Sequence, residues 1–214
     1  MEGDWLAFDR MPTDRPRYIA FEGIEGCGKS TQATRLATAL GAVLTRETGG
    51  TAIGARVREV LHDPANTNLS PVAEALLIAG DRAQHRAEVL APALAAGKHV
   101  VSDRSVYSSL AYQGHGRGLD LPMLRTVNDW ALDGRWPDLV ILLDLDHDVA
   151  MQRLASRSLD RFERETTDFF SRIRAGFLAM AADEKHRWVV LDAARTADEI
   201  ESDVRHAVRE KFGL

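Results

Sequence analysis

The sequence has little of several features that mark special classes of protein. It contains one cysteine, which excludes an intramolecular disulfide framework and a zinc site with several cysteine ligands. No apolar run approaches the roughly 20 residues that span a bilayer, and the first residues lack the apolar core of a signal peptide. Basic residues number 27 against 32 acidic ones, a net charge of −5, so general attraction to nucleic acid or to anionic membranes is not favoured. We expect a cytoplasmic protein with no nucleic-acid or membrane partner.

Short apolar runs alternate with segments of helical periodicity along most of the chain. Many residues of these runs are β-branched and polar residues do not alternate with them, which is typical of strands buried on both faces of a parallel sheet. The pattern predicts an α/β fold with a mainly parallel five-stranded sheet flanked by helices. We expect a loose leader over residues 1–15 and a single domain over 16–214. The predicted strands are residues 18–21, 42–45, 99–102, 139–143 and 188–191.

The strongest motif lies between the first predicted strand and the helix that follows. Residues 23–30 read Gly-Ile-Glu-Gly-Cys-Gly-Lys-Ser and match G-x-x-x-x-G-K-[ST] at every position. In such a loop, backbone N–H groups surround phosphate oxygens, Lys29 reaches the β- and γ-phosphates, and the Ser30 hydroxyl can bind Mg²⁺. We therefore expect ATP as the phosphoryl donor and Mg²⁺ as the cofactor. The predicted ATP-binding residues are Gly23, Ile24, Glu25, Gly26, Cys27, Gly28, Lys29, Ser30 and Thr31.

A second candidate site follows the third predicted strand, at the sheet edge where open α/β sheets bind ligands. Asp103 is placed there to hold a Mg²⁺-bound water, so Ser30 and Asp103 are the predicted metal residues. Arg104 is placed to bind an acceptor phosphate, and residues 108–113 present hydroxyls and an amide nearby. No Asn-Lys-x-Asp element for reading guanine is found, which favours a kinase of a small acceptor over a regulatory GTPase.

From Tyr18 onward the chain resembles the thymidylate kinase family of P-loop nucleoside monophosphate kinases. The matching segments are residues 21–31, 45–51 (Thr-Arg-Glu-Thr-Gly-Gly-Thr), 81–85 (Asp-Arg-Ala-Gln-His), 103–104, 109–114 and 159–163 (Leu-Asp-Arg-Phe-Glu). The resemblance implies a P-loop kinase fold and a homodimer. It also implies transfer of the γ-phosphoryl of ATP to dTMP, giving dTDP and ADP for dTTP synthesis, with Mg²⁺.

The resemblance further implies the roles of the acceptor-site residues. Arg82 matches the arginine that hydrogen-bonds a thymine carbonyl, and Tyr112 matches the tyrosine that packs where a ribose 2′-hydroxyl would sit. Ile78 stands where the family usually has a phenylalanine that stacks on thymine, and Thr48 replaces the usual proline of the acceptor-phosphate loop. The implied dTMP-binding residues are Arg46, Glu47, Ile78, Arg82, Arg104, Ser109, Tyr112 and Gln113.

Four arginines spaced by four, four and three residues predict one basic face of a helix. These are Arg153, Arg157, Arg161 and Arg164. A triphosphate is the anion that would offset their mutual repulsion, since phosphoryl transfer gains from positive charge over the transferring group. We predict a short helical lid over about 153–164, although a solvated basic face is the alternative interpretation. The predicted catalytic residues are Lys29, Arg104, Arg153, Arg157 and Arg161.

Several alternatives stay open at this stage. Ile78 leaves room for another nucleoside or nucleoside monophosphate kinase, and a nucleotide-binding switch without a small-molecule acceptor is the other class. Cys27 is either an activated thiolate at a helix N-terminus or a small buried side chain. Trp130 and Trp136 flank a predicted turn and are expected to be packing residues.

Overall fold

The computed structural model describes residues 15–155 and 160–214. Its five strands form one sheet in the order β2-β3-β1-β4-β5, and all four pairings are parallel. The prediction of a parallel five-stranded sheet is therefore confirmed. The strands are β1 (Tyr18–Glu22), β2 (Val43–Arg46), β3 (Val100–Asp103), β4 (Leu139–Asp144) and β5 (Trp188–Asp192).

Helices connect the strands and cover the sheet. The helix that follows Ser70 begins with a side-chain cap, because the Ser70 hydroxyl accepts a hydrogen bond from the Ala73 amide at 3.2 Å. Across the described residues, no helix has the length and apolar character that crossing a membrane requires. The helices are α1 (Lys29–Leu40), α2 (Ala52–His62), α3 (Pro71–His85), α4 (Ala91–Ala95), α5 (Val106–Ser109), α6 (Leu121–Leu132), α7 (His147–Leu154), α8 (Thr167–Asp183) and α9 (Ala197–Phe212), with π-helical segments π1 (Arg86–Leu90) and π2 (Leu110–Gly116).

The central position of β1 determines where a ligand can bind. Strand β1 is fully buried between β3 and β4, and Phe21 pairs with Asp103 in the register of β1 and β3. The carboxyl ends of β1 and β3 therefore lie side by side at one edge of the sheet. As a result, the glycine-rich loop after β1 and the Asp103-Arg104 pair after β3 meet at that edge.

The structure decides three of the sequence-based expectations. Cys27 is buried, with 1% of its surface exposed, in agreement with the second interpretation of that residue. Trp136 packs against Tyr107 with ring centroids 5.3 Å apart, but Trp130 is 86% exposed, so the packing prediction for Trp130 is wrong. The predicted leader lies outside the described residues except for Arg15, which forms an ion pair with Asp138 at 2.9 Å.

The contact between α8 and π2 depends on a glycine with no space beside it. A Cβ atom at Gly176 would lie 2.5 Å from Cγ of His115, closer than side-chain carbons approach one another. Gly80, inside α3, has open space at the same point. The two glycines therefore form a matched pair for testing the helix packing.

We predict that Gly176→Ala lowers the free energy of unfolding by about 1–3 kcal/mol, because the added methyl group overpacks the contact with His115. Gly80→Ala should raise the same quantity by about 0.5–1 kcal/mol, since alanine loses less backbone entropy in a helix. Urea unfolding of both variants measures the two effects. Equal effects in the two variants would contradict the packing described for α8 and π2.

Candidate active site

The loop after β1 has the backbone shape of a phosphate-binding loop. Gly23 and Gly28 adopt φ angles of 139° and 93°, which residues other than glycine rarely adopt. A Cβ atom at Gly23 would also lie 2.5 Å from the carbonyl oxygen of Leu143. Helix α1 starts at Lys29, directly after Gly28, so the first amides of α1 face the space in front of the loop.

The side chains of the loop divide into inward and outward groups. Ile24 and Cys27 are buried, so only their backbone groups are available to a ligand. Thr31 is exposed on the first turn of α1. The Lys29 ammonium group is curled over the loop, where it donates to the Ile24 carbonyl at 2.7 Å and lies 3.6 Å from the Cys27 sulfur.

The two predicted metal residues are in direct contact. The Ser30 hydroxyl donates a hydrogen bond to the carboxylate of Asp103, which brings an oxygen of the loop to a carboxylate of the neighbouring strand. Hydroxyl and carboxylate oxygens are ligands that Mg²⁺ accepts. Within residues 15–155 and 160–214, no group of three or more His, Cys, Asp or Glu side chains could hold a metal by itself.

The backbone turns sharply at Arg104, directly after β3. Its φ angle of 71° lies in the left-handed region, which costs a residue with a side chain roughly 1–2 kcal/mol. Two hydrogen bonds hold this turn: the Arg104 amide donates to the Phe21 carbonyl at 2.9 Å, and the Ser102 hydroxyl donates to the Arg104 carbonyl at 2.7 Å. Strained backbone conformations of this kind cluster at active sites and ligand-binding segments.

The Arg104 side chain joins β3 to the phosphate-binding loop. Its guanidinium donates to Glu25 at 2.6 Å and to the Tyr112 hydroxyl at 3.1 Å, and Tyr112 in turn donates to Glu25 at 2.7 Å. It also donates to the Gly23 carbonyl at 3.2 Å and to the Ser108 hydroxyl at 3.0 Å. The guanidinium is thus held by the loop on one side and by π2 on the other.

The charges in this cluster stabilise one another. Burial alone would raise the pKa of Glu25, but the positive charges of Arg104 and Lys29 outweigh it and the pKa lies below its ordinary value. Burial would lower the pKa of Arg104, but Tyr112 and Glu25 more than offset it, and the pKa lies well above its ordinary value. Burial raises the pKa of the Tyr112 hydroxyl, so the cluster contains an ion pair and a neutral phenol.

Glu22 is a buried carboxylate to which the sequence analysis assigned no role. It accepts hydrogen bonds from the backbone amides and the hydroxyls of both Ser105 and Ser108, at 2.6 to 3.2 Å. Burial raises the pKa of Glu22, and the nearby charge of Arg104 opposes that shift. Because Ser108 also accepts from Arg104, Glu22 helps to hold that arginine. In the sequence, the signal that could have pointed to Glu22 is its charge at the end of an otherwise apolar strand.

A cavity opens beside this cluster and brings together most of the predicted acceptor residues. It is lined by the predicted residues Glu47, Ile78, Arg82, Arg104, Ser109, Tyr112 and Gln113, and by Glu25, Thr48, Arg58, Leu61, His62, Ser105, Ser108 and Phe162. Phe162 was part of a matching segment, but its place in the cavity depends on the fold. Arg46 is not in this cavity and lines a separate groove with Ser30 and Asp103.

Arg82 forms the floor of the cavity and is almost completely buried, at 1% exposure. Its guanidinium donates to Glu47 at 2.8 Å, to Ser109 at 2.9 Å, to the Ser105 carbonyl at 3.2 Å and to Asn128. Asn128 was not predicted; its sequence signal is its place four residues from both Leu124 and Leu132, on the buried face of α6. Arg82 is therefore fixed in one orientation beneath the cavity.

Glu47, which directly follows β2, contacts both Arg82 and His85. Burial alone would raise the pKa of Glu47, but the charge of Arg82 and a hydrogen bond from His85 at 2.9 Å hold it below its ordinary value. His85 also contacts the Thr45 hydroxyl at 2.7 Å and is fully buried. Glu47 and His85 thus belong to the frame around Arg82.

The predicted lid differs from the structure over its second half. Helix α7 ends at Leu154, and the segment around Arg161 and Arg164 forms turns, so the prediction of one helical face for all four arginines is wrong. The physical reason is Asp160, whose carboxylate accepts from the amides of Phe162 and Glu163 at 2.9 and 3.0 Å and so forms a local turn.

The predicted lid arginines have different surroundings. Arg153 lies beside the phosphate-binding loop and donates to the Gly26 carbonyl at 3.3 Å and the Ala193 carbonyl at 3.0 Å. Arg161 instead donates to the Leu61 carbonyl at 2.7 Å and to Glu74 at 2.5 Å. Arg157 lies outside the described residues. The structure brings Arg153 to the loop and holds Arg161 against α2 and α3.

Comparison with known proteins identifies the family. A family model described as thymidylate kinase matches residues 21–204. Thymidylate kinases of Pelotomaculum thermopropionicum and Deinococcus radiodurans are each 48% identical to this chain, over 91% of it and over 93% and 97% of their own lengths. The crystal structure of thymidylate kinase from Ehrlichia chaffeensis matches with a TM-score of 0.75 and 30% identity, over 91% of this chain and 99% of that one. With its α/β P-loop kinase fold, the chain belongs to the thymidylate kinase family.

Proposed function

We propose that this enzyme transfers the γ-phosphoryl group of ATP to dTMP, giving dTDP and ADP for dTTP synthesis. The observation that carries this proposal is the contact between the two halves of the site. Arg104 of the acceptor cavity donates to Glu25 and Gly23 of the phosphate-binding loop. A phosphate bound at Arg104 would therefore lie next to the terminal phosphate of a nucleotide in the loop.

On the donor side, the loop and α1 supply backbone N–H groups for the phosphates of ATP. Lys29 would leave its contact with the Ile24 carbonyl to bind the β- and γ-phosphates. Ser30 and Asp103 would hold Mg²⁺, which when bound neutralises charge on the β- and γ-phosphate oxygens. Arg153 stands at the Gly26 carbonyl and would add positive charge as the phosphoryl group is transferred.

On the acceptor side, the Arg104 guanidinium would exchange its contacts with the Gly23 carbonyl and the Ser108 hydroxyl for charge-assisted hydrogen bonds to the phosphate of dTMP. Arg82 has its orientation set by Glu47 and Asn128 and would donate to a carbonyl of thymine. Ser109 and Gln113 line the same cavity near the base edge.

The shape of the cavity suits a deoxynucleotide. Tyr112 stands beside Arg104, with the guanidinium 5.0 Å from its ring centroid, and would fill the space of a 2′-hydroxyl. Ile78 and Phe162 supply apolar contact for the base. Arg46 lies in the groove next to Asp103 and would act at the metal and phosphate end of the site.

The two remaining predicted arginines, Arg161 and Arg157, are not assigned the same role as Arg153. Arg161 would reach the phosphates only by leaving Glu74, so we assign the charge stabilisation of transfer to Lys29, Arg104 and Arg153. Arg157 stays a proposed contributor on the basis of its spacing alone. The only cysteine of the sequence is a free thiol, as is usual in the reducing cytoplasm where we propose that the enzyme works.

We also propose that the enzyme is a homodimer. Neighbouring helices α2, α3 and α6 leave large apolar side chains at least 45% exposed, and apolar patches of this kind mark interaction sites. A second copy of the chain fits this surface, because a symmetric contact pairs like patches with each other. The exposed side chains are Ile53 and Val60 on α2, Val72 and Leu76 on α3, and Met123 and Trp130 on α6.

The direct test of the activity is ADP release with ATP, Mg²⁺ and a panel of acceptors. We predict the highest kcat/KM with dTMP, lower values with dUMP, UMP and AMP, and no turnover with deoxythymidine, which lacks the phosphate that Arg104 binds. A coupled assay measures all five. ADP release that does not depend on the acceptor would contradict the proposed function, and a preference for another monophosphate would change the substrate.

We predict that Arg104→Ala lowers kcat/KM for dTMP by about 10²–10³-fold, the loss typical when a positioned donor to a reacting anion is removed. ATP affinity should fall much less than kcat/KM for dTMP, because Lys29 and the backbone amides of the loop remain although the loop loses its contacts with Arg104 at Gly23 and Glu25. The exposed Arg205→Ala on α9 is the control and should leave both quantities unchanged, while thermal melts establish that each variant is folded. An equal loss of ATP affinity and dTMP turnover would show that Arg104 serves the donor side.

The dimer proposal predicts that Leu76→Glu yields monomers, because a charge at a closed apolar contact is left unpaired. Leu178 on α8 is also an exposed leucine but lies outside the proposed face, so Leu178→Glu should remain a dimer. Sedimentation equilibrium measures the mass of each variant. A monomeric unaltered chain, or a dimer unaffected by Leu76→Glu, would overturn the proposal.

A further inference from the structure

Glu74 is a buried carboxylate behind the acceptor cavity, in the first turn of α3. Its side chain is 1% exposed, and nothing in the sequence analysis gave it a role. It accepts hydrogen bonds from the side-chain amide of Gln113 at 2.8 Å and from Arg117 at 3.2 and 3.3 Å. Arg161 donates at 2.5 Å to Oε2, which also accepts the 3.3 Å contact of Arg117, whereas Gln113 and the 3.2 Å contact of Arg117 share Oε1. One carboxylate therefore joins a cavity residue to two arginines.

The two arginines make Glu74 an obligate acceptor. A buried carboxylate needs positive partners, and here two guanidinium groups supply them. An ionised carboxylate can only accept hydrogen bonds. The side-chain amide of Gln113 must therefore turn its NH₂ group toward Glu74, and its oxygen takes the opposite side.

The side-chain oxygen of Gln113 is a buried acceptor at the wall of the cavity. Gln113 is buried and lines the acceptor cavity, and within the part of the chain that the structure describes its Oε1 atom has no hydrogen-bond partner. A buried acceptor without a partner is costly unless a ligand or water satisfies it. Thymine and uracil carry an N–H donor at N3, whereas cytosine carries an acceptor there. An oxygen at this point favours the first two bases and rejects the third.

We infer that Glu74 is a positioning residue for base selection: by holding the NH₂ group of Gln113, it presents the Gln113 oxygen to the base and excludes cytosine. The inference rests on the proposed function, since it assigns the base end of the same acceptor site. Glu74 itself does not touch the substrate, but it determines whether the oxygen or the NH₂ group of Gln113 faces the base.

Glu74→Gln reverses the orientation of the pair. The new amide oxygen would face Arg161, the closest donor, and its NH₂ group would face Gln113. The Gln113 amide would then flip and present its own NH₂ group to the cavity, where it opposes the N3 donor of thymine and matches the N3 acceptor of cytosine. We expect the ratio of kcat/KM for dTMP to that for dCMP to fall at least about 10-fold, mainly through the KM values, with the KM for ATP unchanged.

Glu165→Gln is the matched control. Glu165 belongs to the same network through Arg117, at 2.5 Å, and no contact in the structure joins it to Gln113. Its substitution should leave the ratio of dTMP to dCMP unchanged. An unchanged ratio in Glu74→Gln, or an equal loss with both acceptors in both variants, would overturn the inference. An unaltered enzyme that phosphorylates dCMP as well as dTMP would also overturn it while leaving the kinase proposal standing, whereas no turnover of dTMP would defeat the proposed function itself.

A measurement on the unaltered chain keeps the test valid if Glu74→Gln does not fold. The side-chain NH₂ protons of Gln113 can be assigned in ¹⁵N spectra by their disappearance in Gln113→Met. We expect them to exchange slowly with water both with and without dTMP, because Glu74 holds them in a buried site. Rapid exchange in the free enzyme would show that Glu74 does not fix the amide and would contradict the inference.

Discussion

The ion pair between Arg104 and Glu25 is the interaction on which the rest of the site depends. It joins the end of β3 to the phosphate-binding loop at 2.6 Å, across the gap where donor and acceptor phosphates must meet. Arg104 occupies this position with its backbone in a left-handed conformation, which costs free energy and so must be held by its surroundings. Hydrogen bonds from Ser102 and to Phe21 hold the backbone, and Tyr112 and Glu25 hold the side chain.

Arg104 and Arg82, the two arginines that face the acceptor cavity, are each oriented by carboxylates. Glu25 holds Arg104 directly, and Glu22 does so through Ser108. Glu47 holds Arg82 beneath the base. A guanidinium bound in this way has lost its rotational freedom before the substrate arrives, so binding does not have to order it. The carboxylates also offset the positive charges of Arg82 and Arg104, which would otherwise repel each other in the cavity.

The sequence predicted the parts of the site that are contiguous, because a local pattern is sufficient for a turn between a strand and a helix. The phosphate-binding loop and the Asp103-Arg104 pair follow their strands as expected, and the parallel pairing of β1 with β3 then brings them together. Asn128 and Phe162 were missed, since their roles depend on which elements pack beside Arg82 and Tyr112.

The incorrect predictions have local physical causes. The arginine spacing after Arg153 has helical periodicity, but Asp160 binds the amides that follow it and forms a turn, and Glu74 captures Arg161. Periodicity cannot show such competing partners. Trp130 was expected to be a packing residue beside a turn, yet it lies on the apolar surface of α6, where a second copy of the chain is the proposed partner.

A crystal structure of the enzyme with dTMP and ADP tests the central claim most directly. The account predicts that the dTMP phosphate lies within hydrogen-bond distance of the Arg104 guanidinium, with ADP in the loop of residues 23–30 and the base in the cavity above Arg82. The Arg104 backbone should keep its left-handed conformation, since the turn is formed before the ligand binds. A dTMP phosphate held by other residues, or a backbone that leaves this conformation when dTMP binds, would contradict the account.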